Sequence, residues 1–156
     1  MPSTSRAFVK ASIVYFGVGA VLGALLLIHR WIPLGPAIAA LRVSHIQMLI
    51  AGWLTQLILG VAWWLLPPLA VGLRRDAPQA VRRGQAQRGS EPLFWATFVC
   101  LNTGVLLQAV FGPLYSWTRI EVFNGLAGFS GLFLLVAAVA FVANTWQRVR
   151  ELGRKG

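Results

Sequence analysis

The chain has 156 residues, 57% of them hydrophobic and only 12% charged, with a mean hydropathy of +0.68. A soluble domain carries about 25% charged residues, so a water-soluble globule is excluded and a small helical bundle in lipid is expected. The formal charge of +10 sits in the tails and one loop, without an aromatic-rich polar surface to read bases, so it points to anionic lipid headgroups and not to nucleic acid.

The first apolar run, Phe8 to Ile28, carries one charge near its start, Lys10, which snorkels outward. It is too long for the apolar part of a signal peptide. Pro36-Ala37-Ile38-Ala39-Ala40 bears only a loose likeness to a cleavage region, so a retained helix over about residues 8–29 is expected. Gly19 and Gly23, with Gly17 nearby, give it a small-residue face for helix packing. The second run, Ile46 to Leu66, predicts a helix over about 44–66 that stops at Pro67-Pro68. Residues 67–92 are polar and rich in Arg, Gln and Gly, which predicts a flexible basic loop.

The third run, Phe94 to Phe111, predicts a helix over about 93–112. It holds Cys100, read as a small buried hydrophobe, because one cysteine makes neither an internal disulfide nor a Cys-based zinc site. The fourth run, Val122 to Val142, predicts a helix over about 120–143. Asn102, Thr103 and Gln108 on the third helix, and Asn124, Ser130 and Asn144 on the fourth, are expected to bridge helices. Each run has about 18 to 21 residues, which suits the ~20 needed to cross hydrocarbon as a helix.

Orientation follows from the basic residues. Arg6 and Lys10, then Arg74, Arg75, Arg82, Arg83 and Arg88, then Arg148, Arg150, Arg154 and Lys155 fall in the two tails and the long loop. Only Arg30, Arg42 and Arg119 fall on the other side, which places both termini in the cytoplasm. Trp31 and Trp117 then lie at the outer interface and Trp63, Trp64, Trp95 and Trp146 at the inner one, as an aromatic belt; Trp53 lies mid-helix. The expected fold is all-α: a polytopic bundle of four transmembrane helices in a bacterial cytoplasmic (inner) membrane.

Chemistry-bearing motifs are few. The sequence has no Gly-rich phosphate loop, nucleophile elbow or carboxylate pair. Glu91 and Glu121 fall only at helix edges, which argues against a cation exporter, since that needs an acidic group inside the membrane. The two histidines, His29 and His45, both fall at the outer side, at the end of the first helix and the start of the second. His29 reads as an interfacial residue beside Arg30 and Trp31. His45 heads a stripe, with Leu49, Gly52, Gln56, Gly60 and Trp63 at spacings of three or four. The glycines let a partner approach the backbone closely; periodicity leaves open whether that partner is another helix or a flat macrocycle.

The stretch Arg42-Val43-Ser44-His45-Ile46-Gln47-Met48-Leu49-Ile50-Ala51-Gly52-Trp53, followed by Gly60-Val61-Ala62-Trp63-Trp64-Leu65-Leu66-Pro67, resembles the second helix of the catalytic subunit of heme-copper oxidases. It is most similar to the nitric oxide reductase and C-family branches, which read roughly Arg-x-x-His, then apolar residues with a Trp, then Gly-x-x-Tyr-x-x-x-Pro. Residues 42–67 carry the resemblance, and the rest of the chain is similar only loosely. The resemblance implies that His45 is an axial ligand to the iron of a heme b. With a heme there, Arg42 and Arg30 at the outer rim would pair with its propionates, Gly52 and Gln56 would form the heme-facing stripe, and His29 would be an alternative ligand if the first two helices are neighbours. The family's catalytic subunit has twelve or more helices, and its binuclear-centre ligands come from later ones. This chain has no His after His45, so oxidase or reductase activity is not expected of it alone. A heme with one ligand per chain suggests a homodimer sharing one heme. The expected function is a b-type cytochrome-like protein for electron transfer or for heme or gas sensing, with a respiratory-chain partner. The alternative is a non-catalytic accessory or assembly subunit of a respiratory membrane complex.

Overall fold

The computed structural model describes residues 1–66 and 89–152. Most of the loop expected at 67–92, with Arg74, Arg75, Arg82, Arg83 and Arg88, lies outside the described residues, as do Arg154 and Lys155. Four long helices and no strand occur among the described residues: α1 (Ser3–Trp31), α2 (Pro36–Leu65), α3 (Glu91–Thr118) and α4 (Glu121–Leu152). Each is long and apolar enough to cross a membrane.

All four helices outrun their apolar stretches, because helical winding continues through the interfacial residues that hydropathy does not count. The largest difference is at α2, which starts at Pro36 and not near 44. Ile32 is extended, as the residue before a proline must be, and Gly35 turns the chain at φ 111. Pro36 then sits in the first helical turn, where its missing N–H costs nothing. At the other end Leu66, which precedes Pro67, is extended and stops α2. Ser90 caps α3, its hydroxyl accepting from the Leu93 N–H at 3.4 Å, with Glu91 complementing the helix dipole. In mid-α2, Met48–Thr55 winds as a π-helix, the looser i→i+5 form.

The helices pack in chain order, α1 on α2, α2 on α3 and α3 on α4, with α1 touching α3 lightly. Polar side chains bridge them as expected. The Tyr15 hydroxyl donates to Asn102 Oδ1 at 2.9 Å, and Ser130 donates to Gln108 Oε1 at 3.0 Å. Asn144 holds the entry to α3 with two bonds, accepting from the Ser90 N–H and donating to the Ser90 carbonyl, each at 2.8 Å. Asn124 instead donates to Glu121 of its own helix.

At the end that carries both termini, one stack takes a layer from each helix. The Phe94 ring lies between Phe8 at 4.4 Å and Trp63 at 4.2 Å, both nearly parallel, and the Arg148 guanidinium covers Trp63 at 4.9 Å. Trp63 and Arg148 therefore do not serve as belt and solvated tail: they are 2% and 1% exposed. Their neighbours Trp64, Trp95 and Trp146 remain exposed.

Two prolines create carbonyls without helical partners, and a side chain from the adjacent helix answers each. Pro113, inside α3, has no N–H for the Ala109 carbonyl one turn back, and the Ser44 hydroxyl donates to it at 2.5 Å. Pro67 leaves the Trp63 carbonyl without its donor, and Arg148 Nη2 donates to it at 3.1 Å. The same Nη2 also donates to the Leu66 carbonyl. Buried groups of this kind cannot turn to water, so these bonds fix how the helices sit against one another.

Candidate functional site

The turn between α1 and α2 brings the start of α2 against the last turns of α1. His45 is the residue that meets α1 there. Its Nδ1 lies 2.8 Å from the Gly19 carbonyl. A carbonyl only accepts, so Nδ1 carries the proton and Nε2 carries the lone pair in the neutral ring. The ring lies so close to α1 that a Cβ on Gly23 would come 2.7 Å from Cε1. The adjacent Ser44, about 100° around α2, is bonded to α3. Ser44 and His45 thus tie α2 to its two neighbours at one level, and this pair fixes the direction of the imidazole.

The stripe below His45 is taken by α1 and not by a macrocycle. A Cβ at Gly19 would lie 2.7 Å from Leu49 Cδ2, one at Gly52 would lie 2.6 Å from Tyr15 Cγ, and one at Gly60 would lie 2.7 Å from Phe8 Cβ. Gln56 is fully buried in this seam, and its amide meets no hydrogen-bond partner among the described residues. Gly52 and Gln56 therefore line the α1–α2 contact and border no open surface. Trp53 also meets α1, its ring 4.6 Å from Phe16.

Beyond the stripe an open cleft of about 800 Å³ lies between the last turns of α1 and the first turns of α2. It gathers His45, His29, Arg30 and Arg42, with Leu26, Leu27 and Ile46 as apolar wall. The four titratable candidates that the sequence scatters over 17 positions of chain thus share one cavity, whereas Gly52 and Gln56 lie outside it. Both arginines are exposed and make no ion pair among the described residues. His29 is half-buried, and its Nδ1 accepts the Leu34 N–H at 3.1 Å. Its proton therefore sits on Nε2, the reverse of His45. The cleft offers one imidazole lone pair, one imidazole N–H and two guanidinium groups. Among the described residues no group of three or more His, Cys, Asp and Glu is placed to hold a metal ion.

Sequence reasoning passed over Ser44, Gly19 and Gly23 as parts of this site. Pro113 was the available signal: a proline inside an apolar run announces an unpartnered carbonyl four residues earlier. A Ser44→Ala substitution is expected to lower stability in detergent by about 1–3 kcal/mol, since it leaves a buried acceptor unmet. Thermal unfolding of the two proteins measures it, and an unchanged midpoint would show that Ala109 needs no donor. Comparison with known protein families, curated proteins and solved structures finds no match to this chain.

Proposed function

We propose that this chain is a heme-binding membrane protein of the b-type cytochrome kind, with His45 as axial ligand to the heme iron. It sits in a bacterial cytoplasmic membrane with both termini on the cytoplasmic side, where most of the basic residues fall, and with the cleft facing outward. The observation that carries the reading is the state of His45 in the cleft. A Nδ1–H bonded to a backbone carbonyl orients a metal-ligating imidazole, and it leaves Nε2 for the metal.

The other residues suit the same group. A porphyrin supplies the equatorial ligands itself, so one well-held imidazole is enough to anchor it. Arg30 and Arg42 at the rim suit two propionates, because guanidinium pairs with carboxylate in a bidentate fashion. Leu26, Leu27 and Ile46 keep water from the ring faces, which tunes the reduction potential. Heme would supply one-electron redox chemistry or a coordination position for a small ligand. The protein residues hold, orient and insulate it. A twofold homodimer, each copy giving one His45, would share one heme and serve electron transfer to a respiratory-chain partner.

A second reading, a non-catalytic accessory or assembly subunit of a respiratory complex, is favoured by α4. Gly125, Gly128 and Gly131 have open space where a Cβ would stand, which leaves room for a partner helix. The absorption spectrum of the detergent-purified chain decides between the two. A Soret band with the pyridine hemochrome of heme b, lost in His45→Ala, is the expected result. A protein still colourless after expression with added heme would remove the heme reading and leave the accessory subunit in front.

A further inference from the structure

The cleft between α1 and α2 changes character along the helix axis. Its deep end is where the His45 ring meets Gly23. Arg30 follows Gly23 by seven residues on α1, and Arg42 precedes His45 by three on α2. At the helical rise the two arginine stems therefore start about 10 and 5 Å nearer the helix ends than that floor. Leu26, Leu27 and Ile46 line the same cleft, and Leu27 and Ile46 are 66% and 45% exposed. The cleft thus opens sideways along the helices as well as at their ends. Both helices are long and apolar enough to cross a membrane, and the cleft adjoins the turn that joins them. In a membrane this puts the guanidinium groups at headgroup depth and the apolar wall at acyl depth, whichever way the chain is inserted.

The charge in the cleft is of one sign. Among the described residues three basic side chains stand at this end of the bundle, Arg30, Arg42 and Arg119, and two of them share the cleft. The carboxylate at this end, Glu121, lies outside it and accepts from Tyr115 and Asn124. His29 adds a further donor, since its Nδ1 accepts the Leu34 N–H and its proton is on Nε2. We infer that the cleft binds one anionic phospholipid, with the phosphate on Arg30 and Arg42 and an acyl chain along Leu26, Leu27 and Ile46. Guanidinium groups suit a phosphate diester in a bidentate fashion. A choline or ethanolamine headgroup would set an ammonium beside two guanidinium groups with no carboxylate to receive it, whereas a glycerol headgroup brings no positive charge. A soluble phosphate ester would leave the apolar wall uncovered. The inference stands apart from the heme reading: it concerns the heme-free chain, in which no propionate engages the arginines.

The test uses the heme-free full-length protein in a neutral detergent, with native mass spectrometry and thermal unfolding as readouts. With dioleoylphosphatidylglycerol, one lipid per chain is expected to stay bound and the unfolding midpoint to rise; with dioleoylphosphatidylcholine, neither is expected. The double variant Arg30→Gln/Arg42→Gln should bind the anionic lipid about tenfold more weakly. Both positions are exposed, so it should fold, which circular dichroism checks. Arg119→Gln, at the same end but outside the cleft, should bind it as the parent does. Equal retention of the two lipids, or an equal loss in Arg119→Gln, would overturn the inference. Glycerol phosphate that displaces the lipid at comparable concentration would overturn the lipid assignment in favour of a soluble phosphate ester. A chain that takes up hemin and shows no preference between the lipids would overturn this inference and leave the heme reading standing. One that retains the anionic lipid and stays colourless would support it and remove the heme reading.

Discussion

On the proposed heme reading, a Gly23→Val variant is expected to bind hemin about 10- to 100-fold more weakly than the parent chain although it keeps His45, the range found when groups orienting a metal ligand are removed. The space beside Gly23 is filled by the imidazole, with Cε1 2.7 Å, Nδ1 3.1 Å and Nε2 3.5 Å from where a Cβ would stand. A branched side chain there forces the ring outward. The ring cannot move and still keep its 2.8 Å bond to the Gly19 carbonyl, so both the direction of Nε2 and its tautomer are lost. Gly17→Val is the control, because nothing lies within 4 Å of a Cβ at Gly17. Titration of the heme-free proteins with hemin measures the effect. Equal affinity in both variants would show that the close approach of α1 to His45 does not hold the imidazole.

Arg148→Ala is expected to be the most destabilising single truncation in the terminal end of the bundle, by about 3–5 kcal/mol. It removes the donor to the Trp63 and Leu66 carbonyls at once, and Pro67 offers no N–H to replace it. It also uncovers the outer ring of the Phe8–Phe94–Trp63 stack and leaves a hole where a 1%-exposed side chain stood. Arg148→Lys should recover only part of the loss, since an ammonium is a point charge and cannot both lie flat on the indole and span two carbonyls. Arg6→Ala, at an exposed position, should change stability by no more than about 0.5 kcal/mol. Thermal or denaturant unfolding in detergent reads all three. A loss for Arg148→Ala no larger than for Arg6→Ala would show that the stack needs no cap.

The sequence made the four helices plain, because long apolar runs have few other solutions. It also brought His45 and the small-residue face of α1 to notice. It did not reveal where helices end, since Pro36, a breaker anywhere but a first turn, and the charged Arg42 are both helical yet fall outside the apolar run. The glycine stripe of α2 was visible as a close-approach surface, but its occupant was not: only the packed structure shows Phe8 and Tyr15 seated on Gly60 and Gly52. Arg148 was misjudged as a solvated tail charge, although it continues the buried α4 positions Ser130, Ala137 and Asn144 at helical spacing. Charge outweighed periodicity in that reading. Periodicity prevails in the fold because the Trp63 and Leu66 carbonyls at the end of α2 had to be met. The tautomers of the cleft were wholly hidden, since they depend on a backbone carbonyl and a backbone N–H that no side-chain pattern encodes.

The chain-order packing has a consequence for biosynthesis. Each helix after the first leaves the ribosome with a packing neighbour already made, the helix just before it. Most of the packing closes between helices adjacent in sequence, which keeps loop-closure entropy small. Ser44 is an exception in kind. Its acceptor on α3 is exposed only after Pro113 has been synthesised, so the site around His45 acquires its second tether late. A chain arrested after α2 would therefore hold the imidazole against α1 by Gly19 alone. The cleft around His45 is thus looser during synthesis than in the finished bundle.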